Sequence, residues 1–565
     1  MKILKILLLI ILLSSIDSCI SISSKNVKRR LFNNEEDIVS TKDGLIRGIV
    51  VKDHRVFYGI PFARPPIDEL RFEDPIFPRV WKNVKDCTRQ KEQCIQNCRL
   101  GNGACSQVGT SEDCLYLDVF VPRKSDITNS SLIPVLVVIP GGAFVQGTGS
   151  CLLYDASKFA NSSIIVVNIN YRLGALGFLG TDLLSGNFGF LDQVMALQWV
   201  RSNIEAFGGD KNKVTIFGES AGALSVISHL VSERSKNLFQ RAIVSSATFT
   251  LGLKTKSQIR GISNGFTSKI GCNIEDIDCL RSKSPEEILK AQDQVANVFR
   301  GKLLDIVTVW TPVVDCDIIL GQPLTMIRDG ILVNNVPLII GETKDEGNLF
   351  VYFNFQKKIT QHKYRNMISL MFGSNSQMVL NKYPAPTSDD GDNKGDCRPI
   401  LSKLYGDYVF RCPNRYLINR LLTQNNKSSS SSSPVIYHYQ FRHSLSSGNP
   451  IPYCSGIVCH GSELPLIFNT YESAMNFELD DDEIQFSQDI NRYWVNFISN
   501  GDPNKGLSSS TMIDWSPITK SLNNSLIMVP EFQLNDIISI DGRCNLFDKI
   551  SYRGYTKKNS KLCPS

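Results

Sequence analysis

Residues 214–225 of the 565-residue chain read VTIFGESAGALS. Val214, Thr215, Ile216 and Phe217 suit a buried strand, whereas Ala221, Ala223 and Leu224 suit a helix, so the chain must reverse between them. An abrupt strand-to-helix reversal holds the residue at its apex in strained backbone geometry. The strain is tolerable only if the neighbours carry little side chain, and Gly218 and Gly222 supply that room. Ser220 would then project its hydroxyl from the end of a sheet, at a helix N-terminus whose unpaired N–H groups and dipole favour negative charge.

The surroundings of this turn repeat its first half. VLVVIP at 135–140, IIVVNINY at 164–171, AIVSSA at 242–247 and VPLIIGE at 336–342 are short continuous apolar runs. Val and Ile without alternation are the mark of parallel strands covered on both faces. Between two of them, DQVMALQWVRSNIEAF at 192–207 puts Val194, Leu197, Val200, Ile204 and Phe207 on one helical face. Strands alternating with helices predict an α/β fold with a central, mostly parallel, twisted sheet. Strands spread from about residue 50 to beyond 440 argue for one domain over residues 23–565, although length alone would allow several. Surface-loop insertions are expected near 384–397 (PAPTSDDGDNKGD) and 425–434 (NNKSSSSSSP).

The chain is 42% hydrophobic and 21% charged, a composition that excludes disorder, and its net charge of +6 with no basic aromatic stripe gives no nucleic-acid partner. MKILKILLLIILLSSIDSC at the start has two lysines, an apolar run and small polar residues, as a secretory signal over 1–22 would. The run falls short of the roughly 20 residues needed to span a bilayer, and no later segment reads as a membrane span. Sixteen cysteines suit export, and loss of Cys19 with the signal leaves an odd number. The sequons at Asn129, Asn161, Asn426 and Asn523 are candidate glycosylation sites. The cysteines lack paired C-x-x-C spacing, so no metal is expected.

Gly218-Glu219-Ser220-Ala221-Gly222 is the G-x-S-x-G pattern of the nucleophile elbow in α/β-hydrolases. A hydroxyl of ordinary pKa needs a base, and the base an orienting acid. In this fold, acid and then histidine follow the serine. Of six histidines, His54 precedes the elbow and His229 lies on the helix that leaves it, while His438 and His443 flank the apolar IYHYQF. His460, in the loop CHGSELPLIF, is the candidate base. Glu342, Asp345 and Glu346 all follow PLII, and spacing does not choose among them. VVIPGGAF runs a strand into glycines, so the backbone N–H groups of Gly142 and Ala143, with that of Ala221, would form an oxyanion hole. Glu219, beside the serine, is a candidate electrostatic influence on the site.

Together with FYGIPFARPP from Phe57, SEDCLYLDVFVP from Ser111, NYRLGALGFL from Asn170, KDEG from Lys344 and WVNFISNGDPN from Trp494, these segments resemble the type-B carboxylesterase and cholinesterase-like family. The resemblance covers nearly the whole mature chain. It implies the α/β-hydrolase fold with cap-forming insertions, and a secreted carboxylic-ester hydrolase acting without a cofactor on a small-molecule or lipid-like ester. It also implies Glu346 as the acid and His460 as the base. It suggests the disulfides Cys94–Cys114, Cys272–Cys279 and Cys412–Cys544; proximity adds Cys98–Cys105 and Cys454–Cys459. Cys87, Cys151, Cys316, Cys397 and Cys563 are left without assigned partners, and oligomeric state is left open. Two departures stand out: the family's His-Gly-Gly-Gly-Phe reads Pro140-Gly141-Gly142-Ala143-Phe144, and no tryptophan lies between Cys94 and Cys114. The second argues against choline esters, which use aromatic cation binding. Lipase activity on long acyl chains stays as a further possibility. The family also resembles adhesion proteins that keep the fold and lose the triad, so an esterase-like binding, adhesion or storage protein is the alternative reading.

Overall fold

Among the described residues, eleven strands form the main sheet. In chain order they are β1 (Ile49–Val50), β2 (His54–Pro61), β3 (Tyr116–Pro122), β4 (Ile133–Ile139), β5 (Ile165–Ile169), β6 (Gly209–Glu219), β7 (Arg241–Ser245), β8 (Leu338–Thr343), β9 (Ile436–Phe441), β10 (Ser525–Met528) and β11 (Gln533–Asn535). The computed structural model describes residues 37–563 apart from 102, 124–130, 300–301, 306–307, 387–394, 424–432, 447–453, 477, 507–510, 520–522, 536–541 and 554–562. The signal segment, Asn129, Asn426 and most of both expected insertions lie outside the described residues.

Across the sheet the order is β1-β2-β3-β5-β4-β6-β7-β8-β9-β10-β11. From β5 to β10 every neighbouring pair is parallel; β1, β2 and β3 at one edge and β11 at the other pair antiparallel. The parallel strands are the continuous apolar runs, because both of their faces are covered. Val135, Val137 and Ile139 of β4 enter one core, whereas Leu136 and Val138 enter the other.

The helices that cover these faces include α1 (Ser157–Asn161), α2 (Phe188–Asn203), α3 (Ala221–Val231), α4 (Gly347–Asn354) and α5 (Asp481–Asn500). Apolar residues of α2 and α3 join the first core, and those of α1 and α5 the second. The periodic face expected from Asp192 begins four residues earlier, at Phe188, and its end, residues 204–207, tightens into a 3₁₀ turn. Gly189 permits that early start, since a Cβ there would meet the carbonyl oxygen of Arg172 at 2.3 Å.

The structure joins Cys94 to Cys114, Cys98 to Cys105, Cys272 to Cys279, Cys412 to Cys544 and Cys454 to Cys459, and it ties Cys316 to Cys563 near the C-terminus. Cys87, Cys151 and Cys397 are buried free thiols. Asn161 and Asn523 are exposed. No helix among the described residues is long and apolar enough to cross a membrane.

Candidate active site

β6 ends at Glu219 and α3 begins at Ala221, so the whole reversal falls on Ser220, at φ 58° and ψ −119°. The two flanking glycines are sterically required. A Cβ on Gly218 would lie 2.2 Å from the carbonyl carbon of Gly222, and one on Gly222 would lie 2.1 Å from the carbonyl oxygen of Ile139. The Ser220 amide donates to Ser245 O on β7 at 3.0 Å, which pins the apex to the neighbouring strand.

The loop leaving β4 passes over this elbow. A Cβ on Gly141 would meet Glu219 O at 2.6 Å and the Ser220 Cβ at 3.3 Å. Gly142, Ala143 and Phe144 then take three consecutive positive φ values of 114°, 56° and 60°. Two of these are non-glycine residues in a region costly for them. The N–H groups of Gly142 and Ala143 donate to no other group among the described residues. Ala221, as the first residue of α3, has an N–H without an intrahelical acceptor. The loop that carries Gly142 and Ala143 thus passes over the turn that holds Ser220 and Ala221, and the N–H groups of these three donors have no acceptor among the described residues.

His460 is buried at this end of the sheet, with Phe350 and Phe410 flanking its ring at centroid distances of 5.0 and 5.1 Å. Its Nδ1 lies 2.5 Å from Oε2 of Glu346. The other carboxylate oxygen of Glu346 accepts from the Ser246 hydroxyl at 2.6 Å and from the Thr343 amide at 2.7 Å. Those two donors fix which oxygen faces the imidazole. On the far side of the ring, Nε2 lies 2.9 Å from Oε1 of Glu219. The Ser220 hydroxyl has no hydrogen-bond partner among the described residues. Burial disfavours the imidazolium, but the charges of Glu219 and Glu346, with the hydrogen bond to Glu346, outweigh it and hold the His460 pKa well above its ordinary value.

The three acids that spacing left open have separate destinations. Glu342 accepts from Asn414 at 2.7 Å and sits 3.1 Å from His438 Nε2 in a second buried pair. Burial alone would raise its pKa, but His438, Arg411 and Asn414 hold it below its ordinary range. Asp345 bonds the backbone of Val458 in both directions, its amide donating to Val458 O and its carboxylate accepting from Val458 N. That exchange brings the loop of His460 to the turn of Glu346. The remaining histidines are engaged elsewhere. His229 is held by Ser235 and Gln193, and burial pushes its pKa down to about 3. His443 meets Glu483 at 2.7 Å.

Sequence reasoning missed Glu463. It is fully buried and accepts from the Ser245 hydroxyl at 2.5 Å, and that hydroxyl also meets the Tyr439 hydroxyl at 2.6 Å. Burial, reinforced by Glu219 and Glu346, pushes its pKa up to about 8, leaving a mostly neutral acid beside two carboxylates at neutral pH. The available signal was a lone charged residue at the head of the apolar run LPLIF.

The family model described as the carboxylesterase family matches residues 35–537. The chain is 53% identical to the crystal protein of Dictyostelium discoideum over 559 residues, covering 99% of both chains. It is 48% identical to the cAMP-regulated D2 protein of the same organism over 556 residues, covering 98% of this chain and 99% of that one. Among solved structures it is similar to a thermophilic PNB esterase, with a TM-score of 0.76, 31% identity, and coverage of 91% of this chain and 100% of the other.

Proposed function

The chain belongs to the carboxylesterase family, and from that premise we propose that it is a secreted serine carboxylic-ester hydrolase that works through an acyl-enzyme on Ser220. The observation that carries this reading is the 2.5 Å contact of His460 with Glu346 at the end of the sheet that bears Ser220. In the first half-reaction the Ser220 oxygen attacks the ester carbonyl as its proton passes to Nε2 of His460. The carbonyl oxygen gathers negative charge opposite the N–H groups of Gly142, Ala143 and Ala221. Glu346 holds the Nδ1 proton and stabilises the imidazolium. His460 then gives its proton to the departing alcohol, leaving the acyl group on Ser220. Water repeats the attack on the acyl-serine, releasing the carboxylic acid and restoring the serine hydroxyl. For either proton transfer Nε2 must turn from Glu219 toward the adjacent Ser220.

Six disulfides among the described residues support an oxidising compartment. The missing tryptophan between Cys94 and Cys114 favours simple esters over choline esters. The reading is tested with a fluorophosphonate probe on the purified full-length chain. Covalent labelling at Ser220 that is lost on prior heating is the expected result; an unlabelled native protein refutes it.

Glu219 sets the pH at which this base works. His460 accepts a proton only when neutral, and two carboxylates favour its charged form, so turnover should rise with pH only above the ordinary imidazole range of about 6.5. Glu219→Gln removes one of those charges and should move the rising limb to lower pH while leaving the plateau largely intact, as a pH profile of kcat/KM would show. An unmoved limb would remove Glu219 from the electrostatics of the base.

A second reading has two observations in its favour. Nε2 of His460 rests on Glu219, not on the serine hydroxyl, and the relative that is 53% identical carries the name crystal protein, not an enzyme name. On that reading the chain is a binding or storage protein of esterase fold, and the fluorophosphonate experiment separates the two.

A further inference from the structure

Away from the elbow, on the sheet face that carries α1 and α5, a cavity of about 470 Å³ opens over the antiparallel edge, with Tyr58, Phe120, Leu152, Arg89, Asp118 and Asn168 among its walls. Its volume is in the range of small-molecule sites. Asp118 on β3 and Asn168 on β5 are direct cross-strand partners, so their side chains leave the sheet side by side on one face. They are 1% and 2% exposed.

Each side chain is half satisfied, and in the same sense. Asp118 Oδ1 accepts from the Gly59 amide at 2.7 Å, while Oδ2 has no hydrogen-bond partner among the described residues. Asn168 Nδ2 donates to Tyr154 O at 2.7 Å, which fixes the orientation of its amide, and Oδ1 has no partner among the described residues. Two buried acceptors thus stand together, with the Ser150 hydroxyl the side-chain donor beside the carboxylate. Asp118 forms no ion pair with a lysine or arginine among the described residues. Burial pushes its pKa up, and the Gly59 amide and the nearby Ser150 hydroxyl draw it back to about 6, so it is mostly anionic at neutral pH. An uncompensated buried carboxylate is among the least favourable groups in a protein interior. The other titratable groups on the cavity wall do not neutralise it: Asp155 adds negative charge, the Cys151 thiol is pushed up by burial to about 12, and Arg89 is exposed at the surface.

We infer that this cavity is a binding site for a small primary ammonium compound with a compact apolar body, its –NH₃⁺ bridging Asp118 Oδ2 and Asn168 Oδ1. A primary ammonium offers several N–H donors and one positive charge, which matches two acceptor oxygens with unused capacity and one carboxylate without a cationic partner among the described residues. The apolar body would lie along the rings of Tyr58 and Phe120, which meet edge to face with centroids 6.0 Å apart, and along Leu152, which is 40% exposed. A quaternary ammonium has the charge but no donor. It would leave both oxygens unsatisfied.

The test is calorimetric titration of the full-length protein near neutral pH with 2-phenylethylamine, its N,N,N-trimethyl derivative and the isosteric 2-phenylethanol. The amine should bind saturably, and the other two should bind at least about tenfold more weakly, as loss of a buried charge-assisted pair implies. Asp118→Asn keeps the shape and removes the charge, so it should weaken amine binding by a similar factor. Leu152→Trp fills the cavity from its exposed wall without touching the carboxylate; it should also block the amine while leaving ester turnover unchanged. The inference is overturned if the amine does not bind wild-type protein, if binding persists in both variants, or if the quaternary derivative binds as well as the amine.

Discussion

Ser220→Ala is expected to lower kcat/KM for a 4-nitrophenyl ester by about four to six orders of magnitude while leaving the protein folded and equally stable, since loss of a serine nucleophile removes the covalent route entirely. Backbone geometry at the elbow makes this an unusually clean comparison. Ser220 holds φ 58° between Gly218 and Gly222, whose missing side chains leave room for the reversal. Alanine carries the same Cβ, so the strain and the approach of Gly141 are unchanged and the hydroxyl alone is removed. Glycine at 220 would relax the strain as well and confound the two effects. A binding or storage protein would show no such difference, because nothing in its role would pass through Oγ. Equal turnover by wild type and Ser220→Ala, with matched thermal unfolding, would refute the serine mechanism outright.

The central sheet was legible because its strands are buried on both faces, and a continuous apolar run such as that of β4 has little else to become between turn signals. The elbow was legible for a local reason too: close approach at Gly218 and Gly222 is a requirement that only one residue type meets. Contacts between distant parts of the chain were harder to read. Glu342, Asp345 and Glu346 are equivalent in spacing, and what separates them is where residues 438 and 458–460 arrive, through pairing of β9 with β8 and the bonds between Asp345 and Val458. The union of Cys316 with Cys563, 247 residues apart, is likewise a fact of tertiary approach with no local mark. Glu219 was visible as the neighbour of the serine, but its contact with His460 was not, and neither was the buried acid Glu463 beside both. Charge clusters assembled from separate loops leave no pattern in any one of them.

Glu346→Gln should be the second severe lesion, lowering the plateau of kcat by about three to four orders of magnitude, the range expected when the orienting acid is replaced by its amide. The hydrogen bonds around the carboxylate dictate this outcome. Oε1 receives two donors, the Ser246 hydroxyl and the Thr343 amide, so in the variant the carbonyl oxygen must take that position. The amide nitrogen is then turned toward Nδ1 of His460, where Glu346 presents an acceptor at 2.5 Å. An N–H donor there forces Nδ1 to be the unprotonated nitrogen and drives the proton to Nε2, the atom that must accept from Ser220. The imidazole survives in the wrong tautomer. The same substitution removes one of the two charges that raise the His460 pKa while burial continues to lower it, so the rising limb should also move to lower pH. Reduced plateau and shifted limb together are the signature, whereas Glu219→Gln should shift the limb with the plateau retained. The two carboxylates contact opposite nitrogens of one ring, and the pH profiles of the two amide variants therefore separate the group that orients the base from the group that only charges it. A Glu346→Gln enzyme with an undiminished plateau would exclude Glu346 from the orienting role.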